Sequence, residues 1–320
     1  MSIFIRFRQY HINQHILVMS SEFETSSYIF CNFVKIFDRM KRILMLIIAA
    51  LMPIMVLAQA QIDTKKMKIA DFPEKVTKVV LTGNDFFDQA LLEDVAAIWR
   101  ESPYEFCTLE EFESLKTDEN YYFLITTKDQ FRRESAPGIQ FMSLLKGGPK
   151  AANGIGEMLE VVAMPIASAE DPSGREFAFL PAFLDIIQNH ALMSIESDIV
   201  GYAGLTNHTD NIKNCAGMRI VFADTDMSSQ ITKEVENEYF DKDLHVIDED
   251  DADKFIANVV PNTLVSLVIA PAAAPNGSYC YKMLIDSETH KLFYFRRHKL
   301  TKKDGVGFLV EDIKKISSHR

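Results

Sequence analysis

Two carboxylates, Asp224 and Asp226, follow the apolar run 218–223 and are the sharpest candidates for chemistry. A strand that ends in Asp-x-Asp can present a nucleophile and an acid to a phosphate bound to Mg²⁺, because carboxylate oxygens suit a hard cation. The same stretch also fits a structural role, since Asp226 or Ser228 could cap a helix predicted over 228–240. The lysine and the second acidic strand end that such a phosphatase needs are not evident. We therefore favour capping and keep a metal-dependent phosphohydrolase as the alternative.

Other clusters of polar residues fit ordinary structural roles. A phosphate-binding glycine loop should open a helix, yet a β-rich run follows the glycine-rich stretch 147–156, which favours a hairpin loop. The acidic run 248–253 lacks the alternating ligands and central glycine of a calcium loop, and it suits the start of a helix. The chain has no His-Glu-x-x-His or Gly-x-Ser-x-Gly motif. We predict no catalytic residue, no metal ligand and no cofactor.

A basic, aromatic stretch at 290–299 is out of keeping with an acidic chain. Arg296, Arg297 and Lys299 in this stretch could attract an acidic partner or an anionic surface ligand. The alternative is that these cations protect an aromatic edge strand from aggregation. We keep the three as candidate binding residues.

The residues from Met40 to Ala60 have the three parts of a secretory signal peptide. A cationic pair is followed by the uncharged run 43–57 and then by Ala58-Gln59-Ala60, a small-x-small cleavage site. The run is shorter than the roughly 20 residues that a spanning helix needs. We predict a signal peptide over 40–60 that is cleaved before Gln61, and a periplasmic or extracellular product with no permanent membrane span. An uncleaved anchor or a buried helix is the alternative.

Residues 1–39 precede this complete signal, whereas a signal peptide should begin a protein. We predict that they are an over-extended start and that Met40 is the initiator, with a structured amino-terminal arm as the alternative. Because Gln61 is not a cysteine, a lipid-anchored lipoprotein is disfavoured.

The composition indicates a globular protein that does not bind nucleic acid. The 320 residues are 48% hydrophobic and 25% charged, with a net charge of −11. Without residues 1–60, which hold six basic and three acidic residues, 28 basic and 42 acidic residues remain, a charge of −14. Cys107, Cys215 and Cys280 also remain, and an odd count allows at most one internal disulfide. Buried free cysteines are the simpler expectation.

Hydrophobic periodicity predicts two halves with the same order of elements. In the first half, strand-like runs lie at 76–81, 104–107, 121–126, 139–146 and 158–166, and helical patterns at 85–100, 108–115 and 177–195. In the second half, strand-like runs lie at 218–222, 244–247, 264–270, 278–285 and 291–297, and helical patterns at 228–240, 248–258 and 307–317. Both follow β-α-β-α-β-β-β-α, which predicts an α/β (α+β) fold of two similar units with mixed sheets and helices packed on them.

This common order suggests an internal duplication. The units would span 61–196 and 217–320, with 197–216 as a linker and the helix at 177–195 as a candidate contact between them. The matched side chains are Phe106 with Val246, Phe112 with Phe255, Tyr122 with Val265, and Phe141 with Tyr281.

The run 218–317 resembles small bacterial envelope domains. Its strand-helix-strand-helix-strand-hairpin-helix order, with 264–270, 281–285 and 292–295 as the sheet, is similar to the amino-terminal domain of the Tol-Pal propeller protein and to the curli-secretion lipoprotein class. The chain departs from both, because no propeller follows and no lipoprotein cysteine stands at Gln61. The resemblance implies a role in envelope complexes and transfers no functional residue. We therefore expect an exported, non-catalytic binding or assembly module whose partner is an envelope protein or an anionic surface ligand.

Overall fold

The computed structural model describes residues 64–129 and 137–320, and the chain from Thr64 onward forms one compact unit. The predicted signal peptide, its cleavage site and residues 1–39 lie outside the described residues.

The first half contains five strands and four α-helices. The strands are β1 (Val76–Val80), β2 (Tyr104–Cys107), β3 (Tyr121–Asp129), β4 (Ile139–Lys146) and β5 (Leu159–Ser168). The helices are α1 (Lys65–Ile69), α2 (Asp85–Ile98), α3 (Leu109–Leu115) and α4 (Arg175–Glu196).

The second half again contains five strands and four α-helices. The strands are β6 (Arg219–Ala223), β7 (Leu244–Ile247), β8 (Thr263–Ile269), β9 (Tyr279–Asp286) and β10 (Leu292–Lys299). The helices are α5 (Asp198–Ala203), α6 (Lys233–Tyr239), α7 (Glu249–Ala257) and α8 (Val310–Ser317).

The two five-stranded sheets share one strand order, β2-β1-β3-β4-β5 and β7-β6-β8-β9-β10. In each sheet the first strand of the half pairs in parallel with its two neighbours, and the last three strands pair antiparallel. The predicted α/β class with mixed sheets is therefore confirmed. A duplication would produce this shared order, but the common origin of the halves remains a prediction.

Local sequence determines where the helices of the first half begin. Thr108 opens α3 with a capping box, in which its hydroxyl and the Glu111 carboxylate exchange backbone hydrogen bonds. Asn84 caps α2, and the side chains of Phe87, Leu91 and Val95 recur every fourth residue and are buried.

One hydrophobic core joins the two sheets. It includes residues of β3 and β4 from the first sheet, residues of β8 and β9 from the second, and most of the buried face of α4. Phe141 and Tyr281, matched as equivalents by sequence, are in edge-to-face contact with ring centroids 5.7 Å apart. The α4 helix is long and apolar enough to cross a membrane. However, 61% of its apolar 18-residue stretch is buried inside the fold. That burial is typical of the core helix of a folded protein.

The predicted linker at 197–216 is instead an ordered part of the fold. It forms α5 and the 3₁₀ helix Gly204–Asn214, in which Ile212 is fully buried. Thr209 donates to the backbone carbonyl of Phe295, and the Asn211 amide donates to that of Leu292 at 2.7 Å. These contacts cover the outer edge of β10. They thereby protect this edge strand from pairing with another chain.

Candidate functional site

A groove lies at the carboxyl ends of β1 and β3. The chain leaves β1 for β2 on one side and then crosses to β3 on the other, so this is the topological switch point of the first sheet. Open α/β sheets bind ligands at such points. The groove has a volume of about 1080 Å³ and is lined by the ends of both strands, the start of α2 and the entry to α4.

Large apolar side chains are exposed around this groove. Phe86 is 85% exposed, Leu109 58% and Phe177 41%. Three such side chains on one concave surface are typical of a binding site, since scattered single residues are what an ordinary surface shows.

The loop between β1 and α2 has little capacity to bind an anion. The Asp88 carboxylate accepts the backbone N–H groups of Thr82 and Gly83, both at 2.8 Å, and the Asn84 side chain accepts two N–H groups in the first turn of α2. An anion site at a helix start needs free N–H groups. The groove therefore suits apolar ligands better than phosphates.

Glu176 places a carboxylate on the wall of the groove. It is 8% exposed, and one of its oxygens accepts the Gly174 N–H at 2.9 Å. No lysine, arginine or histidine within 64–129 or 137–320 forms an ion pair with it. The only basic side chain among the described lining residues, Lys128, donates to the Ala169 carbonyl at 3.2 Å. Within the described residues, the wall therefore carries a carboxylate with no ion-pair partner.

The corresponding crevice of the second sheet, at the carboxyl ends of β6 and β8, is occupied by the side chain of Arg175. Its guanidinium binds Asp226 at 2.9 Å and Asp253 at 2.9–3.0 Å, and it donates to the Ser266 carbonyl at 3.1 Å. Glu249 lies 3.6 Å away. An arginine from the first half therefore fills the crevice of the second half.

Asp226, one of the two candidate phosphatase residues, is part of this buried ion pair. It is 2% exposed, and its carboxylate also accepts the Ser266 hydroxyl at 2.5 Å and the Val268 N–H at 3.0 Å. Burial raises the pKa of Asp226, and the Arg175 guanidinium opposes that rise. The other candidate, Asp224, is exposed and accepts the N–H of Thr225. The structure thus brings the two carboxylates to one turn but leaves only Asp224 accessible.

The predicted capping role of Asp226 or Ser228 is wrong. The helix begins later than its sequence pattern suggests, at Lys233, and its N-cap residue is Thr232. The turn after β6 is instead organised by an extended segment that precedes α8. There, the Phe308 N–H donates to the Asp226 carbonyl at 2.8 Å, and the Ser228 N–H donates to the Phe308 carbonyl at 3.2 Å.

The segment that pairs with this turn fits closely. Gly307 has φ of +108°, and a Cβ atom there would lie 2.5 Å from the Ser228 nitrogen. The Phe308 ring is fully buried, in edge contact with Phe222 at 5.1 Å between centroids. At the second crevice, the Arg175 ion pairs and the segment before α8 leave a pocket of about 320 Å³, which Arg175, Asp226 and Val306 help to line.

The three candidate basic residues differ in their availability. Arg296 pairs with Asp312 at 2.9 Å and with Glu311 at 2.8 Å, so its charge is largely neutralised. Arg297 and Lys299 are exposed and lie over the ring of Tyr279, at 4.9 and 5.7 Å from its centroid. Only these two present charge at the surface.

Two buried polar clusters escaped the sequence analysis. Lys282 and Asp312 are both fully buried and paired, and the Tyr294 hydroxyl donates to the same carboxylate at 2.6 Å. Burial works to raise the pKa of Asp312, but the Lys282 ammonium holds it below its usual range. Their spacing of 30 residues gave no recognisable motif.

The second cluster is a pair of histidines. His190 Nδ1 lies 3.1 Å from His208 Nε2, and burial lowers the pKa of His190 to about 3 and that of His208 to about 4. Both rings are therefore neutral at physiological pH.

No group of three or more His, Cys, Asp or Glu side chains within 64–129 and 137–320 is arranged to hold a metal ion. The three cysteines of this part of the chain are free and buried: Cys107, Cys215 and Cys280.

Comparison with known proteins supplies no relative for this chain. No family model matches it, and neither does any curated protein or solved structure.

Proposed function

We propose that this chain is an exported, non-catalytic module of the cell envelope that binds a partner in the groove at the carboxyl ends of β1 and β3. The observation that carries the proposal is the groove itself, with exposed Phe86, Leu109 and Phe177 around a volume of about 1080 Å³. Complete burial of one such side chain is worth about 1.5–3 kcal/mol before the cost of association, so burial of the three would favour binding.

The charged groups at the second crevice support a non-catalytic role. A nucleophile or general acid must reach a substrate, whereas the Asp226 carboxylate is enclosed by Arg175 and by two further hydrogen-bond donors. The phosphohydrolase alternative would have to act through Asp224 alone.

Export rests on the sequence from Met40 to Ala60 and can be tested separately. We expect amino-terminal sequencing of the protein recovered from the envelope or medium to begin at Gln61. Replacement Ala60→Arg should block cleavage, because the peptidase accepts only small residues there. Recovery of the unmodified chain in the cytoplasm, still beginning upstream of Gln61, would contradict export.

The groove can be tested with a photo-crosslinking residue, p-benzoylphenylalanine, at position 86 in the organism that makes the protein. We expect a light-dependent adduct of discrete size from position 86 and none from position 199. Ile199 is a matched control because it is 79% exposed and follows the far end of α4, a helix about 33 Å long. Equal adducts at both positions, or none at position 86, would count against a binding groove.

Catalysis can be tested on the purified full chain. We expect no Mg²⁺-dependent release of phosphate from p-nitrophenyl phosphate. Turnover that disappears in Asp224→Asn would revive the phosphohydrolase alternative.

A further inference from the structure

We infer that the groove binds an extended segment of a partner protein in which a large apolar side chain stands next to a basic residue. This inference rests on the proposed function and specifies the partner of the same site. Three observations support it: the way the second crevice is filled, the charge of the groove, and the lack of free N–H groups there.

The second crevice provides an internal template, because it occupies the same position in a sheet with the same strand order. An extended segment lies against the turn after β6 through two backbone hydrogen bonds, and its Phe308 ring is buried. Beside it, the Arg175 guanidinium pairs with the carboxylates of Asp226 and Asp253. At this end of the second sheet the chain therefore places an aromatic side chain, buried against Phe222, and a cation beside a remaining pocket of about 320 Å³.

The first crevice lacks both of these occupants. The entry to α4 lines it, but no backbone hydrogen bond between described residues joins 81–84 to 172–174, whereas the corresponding segments of the second half are bonded. Among the described residues, the first groove thus has no extended segment bonded to the loop after β1.

The charges of the groove favour a basic segment. Glu176 is on the wall without a described cationic partner. Asp85 and Glu110, which adjoin lining residues in the sequence, are exposed, and Lys128 is the one basic side chain among the described lining residues. Charge complementarity of this kind steers partners and selects among them. Glu176 would then pair with the basic residue as Asp226 pairs with Arg175.

Other occupants fit less well. A phosphorylated ligand would find the N–H groups of Thr82 and Gly83 already bound to Asp88. The groove volume of about 1080 Å³ is at the upper end of what small-molecule pockets occupy. An extended peptide uses this space along its length.

The test is selection of peptides on the full chain from a phage-displayed random dodecapeptide library, followed by fluorescence anisotropy with the selected peptides. We expect enrichment of Phe, Trp or Leu next to Lys or Arg. Phe86→Ser should weaken binding at least tenfold, while Ile199→Ser, an equally exposed apolar residue outside the groove, should leave binding unchanged.

The role of Glu176 has its own matched variants. Glu176→Gln keeps an oxygen for the Gly174 N–H and removes the charge, so it should weaken binding several-fold. This loss of affinity should vanish when the basic residue of the peptide is replaced by Gln. The control variant Glu288→Gln, on the turn before β10, should have no effect on binding. No enrichment, enrichment of acidic peptides, or equal affinity for the groove variants would overturn the inference.

Failure of this inference is distinguishable from failure of the proposed function. If position 86 crosslinks a partner in cells but no basic, apolar peptide binds or competes with that adduct, the binding module stands and the extended basic segment is refuted. If position 86 forms no adduct, the binding module itself is refuted.

Discussion

Replacement of Arg175 by methionine tests whether the buried ion pairs hold the two halves of the fold together. Arg175 is the first residue of α4. Its side chain bonds to partners 51 to 91 residues further along the chain, on the turn after β6, on α7 and on β8. Methionine keeps much of the aliphatic length of the side chain and removes the guanidinium. The variant therefore isolates the electrostatic contribution.

The expected loss follows from what the guanidinium leaves behind. Asp226 would keep the Ser266 hydroxyl and the Val268 N–H but would remain a buried carboxylate without a cation. Removal of one partner of a buried ion pair costs about 3–5 kcal/mol. A typical domain has only about 5–15 kcal/mol of stability, so the variant should unfold at a much lower urea concentration.

The pH dependence provides a second check with a definite sign. Loss of Arg175 removes a cation that opposes the rise in the pKa of Asp226, so this pKa should rise further. A carboxyl group whose folded-state pKa is raised stabilises the fold at low pH and loses that contribution as pH increases. The stability difference between Arg175→Met and the parent protein should therefore shrink as pH falls from 7 to 5.

Urea denaturation followed by circular dichroism at pH 7 and pH 5 provides the measurement. Lys302→Met is the control, because Lys302 is exposed and its replacement should change stability by no more than about 0.5 kcal/mol. A loss below about 1 kcal/mol for Arg175→Met, or a difference that grows at pH 5, would refute this account of the cluster.

Three further variants test other parts of the fold. The paired histidines have pKa values of about 3 and 4, below the unfolded value, so stability should fall as pH drops below about 6.5, by up to about 1.4 kcal/mol per pH unit for each ring; His208→Gln should flatten this dependence in urea titrations. Lys282→Met should cost about 1–3 kcal/mol in the same assay, because it removes one buried partner of Asp312, whose carboxylate keeps Arg296 and the Tyr294 hydroxyl. Gly307→Ala should cost more than about 1 kcal/mol, since its φ is +108° and a Cβ atom would meet backbone, whereas Gly305→Ala meets nothing within 4 Å and should be neutral.

Much of the fold could be predicted because its elements depend on local patterns. The bounds 104–107, 139–146 and 244–247 agree with the structure to the residue, since each is a short run bounded by polar or turn residues. The helix predicted over 228–240 is the main exception. Only Lys233–Tyr239 is helical, because backbone hydrogen bonds with the segment before α8 hold the preceding turn in another conformation. That interaction links residues about 80 positions apart and leaves no local pattern.

Pairing of individual residues between the halves was less accurate than the order of elements. Tyr122 lies in the core cluster that contains Phe87 of α2. In the second half, Leu264 lies in the cluster that contains Tyr239 of α6. Val265, which the sequence matched to Tyr122, lies instead in the core cluster that joins the two sheets. Successive residues of a strand point to opposite faces, so an error of one residue in the alignment reverses the face. The sequence could not determine this register, because both residues are apolar.

The candidate site was missed for a related reason. Phe86 and Phe177 come from elements about 90 residues apart, and each is an ordinary apolar residue of an amphipathic helix in the sequence. Their exposure around one groove becomes evident only in the folded chain. Signals in sequence identify groups with distinctive chemistry, such as Asp224 and Asp226, whereas a site built from apolar side chains has none.

The two crevices differ because a different residue follows the corresponding glycine in each half. Gly174 and Gly307 both precede the last helix of their half and both have positive φ. In the second half the next residue, Phe308, turns onto its own sheet and is buried there. In the first half the next residue, Arg175, extends into the crevice of the other half instead. One strand order therefore leaves a groove of about 1080 Å³ in the first half and a smaller pocket of about 320 Å³, beside the Arg175 ion pairs, in the second.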